Sequence, residues 1–294
     1  MPEERLRLRD IPAWITRTRE LPLDERLDRA SAAFLGLPYK DDAVGEGRTG
    51  AFDRRPVFRL DGFDCQTYVE VSLALAAARS GREFRALVLA LRYQQGKIDF
   101  SVRNHLTRPQ WILHNIAAGL IRNVTAAVAG DEPTQQEKRQ FEVGNWFDNL
   151  GPARLHGFRD DAAAQEERLS RMRRAWAGPR FVLFETPLLP LSAFVRTGEP
   201  FPGGMKKSGL QVNAPLLERL PNGAILMLSS KTWVHLALAV RHRGEWTMRH
   251  ASREHRRTLE NPLVPLFFNM GRSGEDYTVM VLEPLFLASS PQDD

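Results

Sequence analysis

The sequence predicts an α+β fold, and three observations predict it. Up to Gly178 the apolar residues recur mainly at helical spacing. Beyond Gly178 they gather into short runs bounded by turn residues. With 294 residues, 43% of them hydrophobic, the chain can bury a full core. Helices first and strands second is the α+β order, not the alternation of a parallel sheet. The expected organisation is one domain, 1–294, with a helical N-terminal half, a small antiparallel sheet in the C-terminal half and a helical insertion at about 130–178.

Each element has its own signal. "PLDERLDRASAAFLGL" (22–37) carries apolar residues at helical spacing and stops near Gly36 and Pro38. "GEGRTGAFDRRP" (45–56) is a loop by its Gly and Pro content. A helix with an apolar stripe is expected from Cys65 to Arg79, stopping at Ser80-Gly81, and a second from Arg82 to Gln94, stopping at Gly96. "RPQWILHNIAAGLIRNVTAAVA" (108–129) and the charge-rich "DDAAAQEERLSRMRRAWA" (160–177) read as further helices. Then "RFVLFETPLLPLSAF" (180–194) shows apolar runs broken by prolines, and "GEPFPGGMKKSG" (198–209) reads as a mobile loop able to act as a lid. "AILMLSS" (224–230), "VHLALAVRH" (234–242), "EWTMRHAS" (245–252) and "DYTVMVLEP" (276–284) read as strands, with "RHRGE" as a hairpin connection.

Composition narrows the partners. The net charge is +5, mostly from arginine. It reads either as a solvated basic surface or as attraction to an anionic polymer such as a cell wall. No nucleic-acid signature and no run of 18 apolar residues occurs, so neither a nucleic acid nor a membrane span is expected. No HExxH and no histidine–cysteine ligand spacing appears, so neither metal nor cofactor is expected. "GGMKKSG" lacks the phosphate-loop frame.

The chemistry starts at "RLDGFDCQTYVEVSLALAAA" (59–78), which holds the single cysteine, Cys65, at a helix start. Unpaired backbone N–H groups and the helix dipole there favour thiolate and are placed to stabilise an oxyanion. The plainer fate of a lone cysteine is burial as a small apolar residue. A nucleophilic thiol needs a histidine base held by a third polar group. Among seven histidines, His235 opens one strand and His250 closes the next, so a hairpin turn at 241–244 brings them together.

"FDCQTYVE", "PNGAILMLSSKTWVHLALAV" and "MRHAS" resemble the three signature blocks of the NlpC/P60 superfamily of papain-like cysteine peptidases. Within it the sequence is most similar to the N-acetylmuramoyl-L-alanine amidase-like (DUF1460) family. "FLGLPY" (34–39), "LRYQQGKIDF" (91–100), "RNHLTRPQWILHN" (103–115) and "FDCQTYVEVSLAL" extend the resemblance over roughly residues 30 to 285. It implies a papain-like fold, with Cys65 as nucleophile, His235 as general base and His250 as the residue orienting it. Tyr39 matches a tyrosine near the oxyanion site, and the Cys65 N–H is an expected oxyanion donor. Asp64 is expected to fix the turn. Arg103, Asn104, His105 and Trp111 form either a substrate-binding block or a structural turn. Two departures bear on substrate shape: His235-Leu236-Ala237 stands where relatives carry His-Val-Gly, and Gly223-Ala224 where they carry Gly-Asp.

The implied activity is hydrolysis of a peptidoglycan amide through an acyl-enzyme, either muramoyl-L-alanine or a bond within the stem peptide. An acyltransferase or lipid-directed thiol hydrolase keeps the same triad. A wall-binding module without catalysis is a third expectation, opposed by the intact Cys65, His235 and His250. Such a protein acts in the periplasm or cell envelope. "MPEERLRLRD" has no apolar h-region, which leaves leaderless export or cytoplasmic residence open. A monomer is expected.

Overall fold

The computed structural model describes residues 5–231 and 233–288. Its helices are α1 (Ile11–Thr18), α2 (Leu23–Ala32), α3 (Cys65–Ala77), α4 (Gly81–Arg92), α5 (Leu113–Ala117), α6 (Thr125–Ala129), α7 (Val143–Asp148), α8 (Ala162–Arg173), α9 (Ala214–Arg219), α10 (Leu263–Gly271) and α11 (Leu285–Ala288). The strands are β1 (Ile121–Asn123), β2 (Gln135–Phe141), β3 (Val182–Pro190), β4 (Val195–Arg196), β5 (Met205–Lys207), β6 (Leu210–Val212), β7 (Ala224–Ser229), β8 (Val234–His242), β9 (Glu245–Ser252), β10 (Arg257–Pro262) and β11 (Thr278–Pro284). The α+β class holds, with helices gathered beside an antiparallel sheet of order β10-β9-β8-β7-β11-β3-β2 in which β1 also pairs with β11.

The sheet is not confined to the C-terminal half. β1 lies inside the segment expected to be helical over 108–129, and β2 opens the insertion expected to be helical over 130–178. The polar sequence "QQEKRQF" hides β2 because it is an edge strand: it pairs only with β3 and is largely solvated, so it needs no apolar alternation. The loop expected at 198–209 is partly ordered into β5, which pairs with β6. That hairpin lies against Gly244–Thr247, at the turn end of β8 and β9. The lid expectation is therefore withdrawn, because the loop sits at the end of the hairpin away from His235.

Strand alternation divides the core. Leu236, Leu238 and Val240 of β8 pack with the α1–α4 layer, whereas Ala237 and Ala239 pack with α9, α10 and the small β4-β6-β5 sheet. A third cluster, including Phe52, Phe100, Phe147 and Leu169, ties α7 and α8 to the 45–56 loop. The β8–β9 turn has Arg243 at φ 51° and Gly244 at φ 83°, the twist that a two-residue hairpin loop requires.

Helix α3 is the pillar of the site. Its sequence suggests a single apolar stripe, but every residue from Thr67 to Ala77 is buried, because α2, α4, β8 and β9 surround it. Arg249, 1% exposed, fastens this layer to the sheet by bonding Ser31 Oγ and Asp28 of α2 and Glu260 of β10.

Candidate active site

Asp64 caps α3 and sets the angle at which Cys65 enters it. Its Oδ1 accepts from Thr67 N–H at 2.8 Å, and its own N–H donates to Thr67 Oγ1 at 3.0 Å. This reciprocal cap satisfies two polar groups at the helix start. Asp64 thus fixes the turn, as its sequence position suggests. Cys65 is half-buried and lines a cleft of about 240 Å³ with Gln66, Arg103, His105, Thr107 and Trp146. Strands β8 and β9 pack directly against the helix that Cys65 opens.

The resting thiol differs from the thiolate that its helix position predicts. Burial, reinforced by the Asp64 charge, pushes it up to about 12. The N–H groups of Leu236, Gln66 and Cys65 pull the other way and do not prevail. Losing hydration outweighs a helix start whose dipole is partly offset by its own capping carboxylate.

The two histidines meet as the hairpin predicts. His235 Nε2 and His250 Nδ1 are 2.8 Å apart, with the rings edge to face. His250 Nε2 lies 3.0 Å from Asn261 Oδ1 on β10. Burial, with His250 as a further cause, lowers His235 to about 3. Burial also lowers His250, against its hydrogen bond to Asn261 Oδ1. Both rings are therefore neutral near pH 7. Trp233 stacks on His235 at 5.2 Å and 14° while remaining 41% exposed.

The other expected residues divide. Tyr39 is held between the β9–β10 turn and the approach to α3 by its N–H bond to Arg256 O and its bridge to Phe63. Burial first, with Cys65 and Asp64 as further causes, raises its hydroxyl, so it stays a neutral donor. Arg103 and His105 line the cleft. Arg103 spends Nη1 on Asp53 (3.3 Å) and Glu46 (3.5 Å). His105 Nε2 bonds Phe100 O at 2.8 Å, and its ring lies against Trp146.

Trp111 belongs to the framework, which corrects the substrate-binding expectation for it, whereas Asn104 borders the cleft with its amide committed to the framework. Asn104 is 2% exposed and uses its amide on Leu91 O and His114 Nδ1. Trp111 is fully buried, and its indole N–H donates to Glu70 at 2.9 Å. Glu70 also pairs with Arg92 at 2.7 Å, so α3, α4 and the π-helical turn Thr107–Ile112 share one buried charge pair.

Asn261, Trp233 and Trp146 escape sequence reasoning. Asn261 sits in "RTLENP", whose charges and proline hide a strand. Trp233 directly precedes the Val234-His235 pair, the one local signal available. Trp146 reaches the cleft only because the 130–178 region folds back over it.

Fold and site together define an α+β protein with a thiol at a helix start and a histidine pair on the adjoining strands. The N-acetylmuramoyl-L-alanine amidase-like (AmiA-like) family model matches residues 29–175, and the chain belongs to that family. In fold it is similar to the crystal structure of protein LPG0564 from Legionella pneumophila, a DUF1460 protein (23% identity, 94% of each chain covered, TM-score 0.79). It is also similar to an N-acetylmuramoyl-L-alanine amidase from Bacteroides uniformis (17% identity, 89% of this chain and 98% of that one, TM-score 0.56). No curated protein matches it. No helix among the described residues is long and apolar enough to cross a membrane.

Proposed function

We propose that this protein is a papain-like cysteine amidase of the NlpC/P60 type, acting in the cell envelope on an amide bond of peptidoglycan. The observation that carries the reading is the His235–His250 pair, 2.8 Å apart, on two strands that pack against the helix opened by Cys65. The AmiA-like family membership and the likeness to the Bacteroides uniformis amidase favour the muramoyl-L-alanine bond over one within the stem peptide.

Because thiol and imidazole both rest neutral, His235 acts as a general base during attack. As sulfur bonds to the carbonyl carbon, the S–H proton passes to His235 and the carbonyl π pair moves to oxygen. The N–H of Cys65 holds that oxyanion, with the neutral Tyr39 hydroxyl nearby. The oxyanion collapses, the C–N bond breaks, and the leaving amine takes the proton from His235. Water then attacks the thioester, giving a proton to His235, and the carboxylic acid and thiol are released. Arg103 bonds Asp53 and Glu46 through Nη1, and among the described residues no hydrogen bond engages its Nε or Nη2, a fork suited to a peptide carboxylate in the cleft. The cleft wall is largely charged and polar, including Asp42, Arg103, His105 and Arg154, which favours a peptide substrate and water over a lipid acceptor.

Digestion of purified sacculi followed by mass spectrometry tests the reading. Stem peptides with a free L-alanine amine are expected. Cleavage confined to the stem would move the bond, and no released product would overturn the amidase reading.

A further inference from the structure

We propose that Asn261 is a positioning residue that fixes the tautomers of both histidines, extending the triad to the chain Cys65–His235–His250–Asn261. The inference rests on Cys65 and His235 being nucleophile and base.

A neutral imidazole has one N–H and one bare nitrogen. The Asn261 Oδ1, 3.0 Å from His250 Nε2, can only accept, so His250 carries its proton on Nε2. His250 Nδ1 is then bare and accepts from His235 Nε2–H at 2.8 Å. The proton of His235 is thereby placed on Nε2, and Nδ1 is left as the free base. These proton positions follow from the hydrogen-bond network. Among the described residues, no side chain or backbone group hydrogen-bonds His235 Nδ1.

The sequence builds the anchor. His250 lies opposite Leu259 across the β9–β10 ladder, and Asn261, two residues on, projects from the same face. Pro262 follows, and a residue before proline is held in the extended region, which keeps Asn261 in strand conformation.

The neutral amide matters because two imidazoles stand in series. His250 faces His235 from β8, Asn261 from β10 and His255 from the β9–β10 turn, none of them an anion. A carboxylate at 261 would favour the imidazolium form of His250. Its Nδ1 would then donate to His235 Nε2, push the His235 proton onto Nδ1 and remove the base. Only when His250 lost that proton at higher pH would the working order return.

Nitrogen-15 NMR of the histidine side chains in the wild-type protein at pH 7 reads the tautomers without substrate. Protons on Nε2 of both His235 and His250 are expected; a proton on Nδ1 of His235 would overturn the proposal. Asn261→Asp should move the acid limb of kcat/KM up by at least about one pH unit, and Asn261→Ala should lower kcat about 10- to 100-fold with KM little changed. An Asn261→Asp profile that overlays the wild type, with a normal melting curve, also overturns it. If either variant fails to fold, the wild-type tautomers still decide. Expected tautomers in a protein that releases nothing from sacculi would sink the amidase reading and leave the histidine ordering intact.

Discussion

Cys65 and His235 are both kept neutral by the same burial that shapes the cleft. This has a measurable consequence at the scale of single residues. A base must be unprotonated to act, and the His235 value of about 3 lies far below the ordinary 6.5. The acid limb of kcat/KM is therefore expected well below pH 6.5, with activity level down to about pH 5. A limb at 6.5 to 7, measured on a soluble muropeptide, would contradict a buried neutral base. The helix start at Cys65 and the meeting of His235 with His250 are legible in the sequence because a lone cysteine at a helix start and histidines on successive strands are local patterns. Asn261 is not, because its partner lies on the neighbouring strand of a ladder that the sequence does not announce. Trp111 misleads for a related reason: an aromatic residue in a polar block looks available, and only the buried Glu70 explains why it is not.

Among the elements, α3 carries the site and the Glu70–Arg92 pair holds α3 in place. Both side chains are at most 1% exposed, and Trp111 and Gln66 add hydrogen bonds to Glu70. Burial raises Glu70, and Arg92 opposes that rise. Removing one member of a buried pair leaves the other charge uncompensated, so Arg92→Met is expected to destabilise by about 3–5 kcal/mol in urea unfolding. A loss below about 1 kcal/mol would show that the pair does not brace the helix. Long helices and apolar strands are readable at this scale: β8 and β9 fall at the expected residues 234–242 and 245–252. β1, β2 and β10 are not, since short or solvated strands need little apolar patterning once a neighbour supplies the ladder.

For the whole molecule, pH couples the site to stability. His235 folds with its pKa lowered to about 3, whereas the unfolded chain binds that proton near 6.5. Its contribution is thus complete above 6.5 and is lost as pH falls toward 3, by up to about 1.4 kcal/mol per pH unit. His105 and His250 act in the same direction, and Glu46, raised to about 7, acts in the opposite one. Comparing wild type with His235→Gln cancels these other groups. The wild type should lose ground to the variant steadily between pH 6.5 and 5, and parallel stability curves would contradict a neutral buried His235. The α+β order of the chain was readable from its two textures, but the seat of residues 130–178 was not: their aromatic cluster packs on the 45–56 loop and delivers Trp146 to the cleft. The central claim, that Cys65 is the nucleophile of an amidase, is tested most directly by digesting purified sacculi with wild type and with Cys65→Ala. Wild type is expected to release peptides bearing a free L-alanine amine, and the folded variant none; equal release by both would contradict the account.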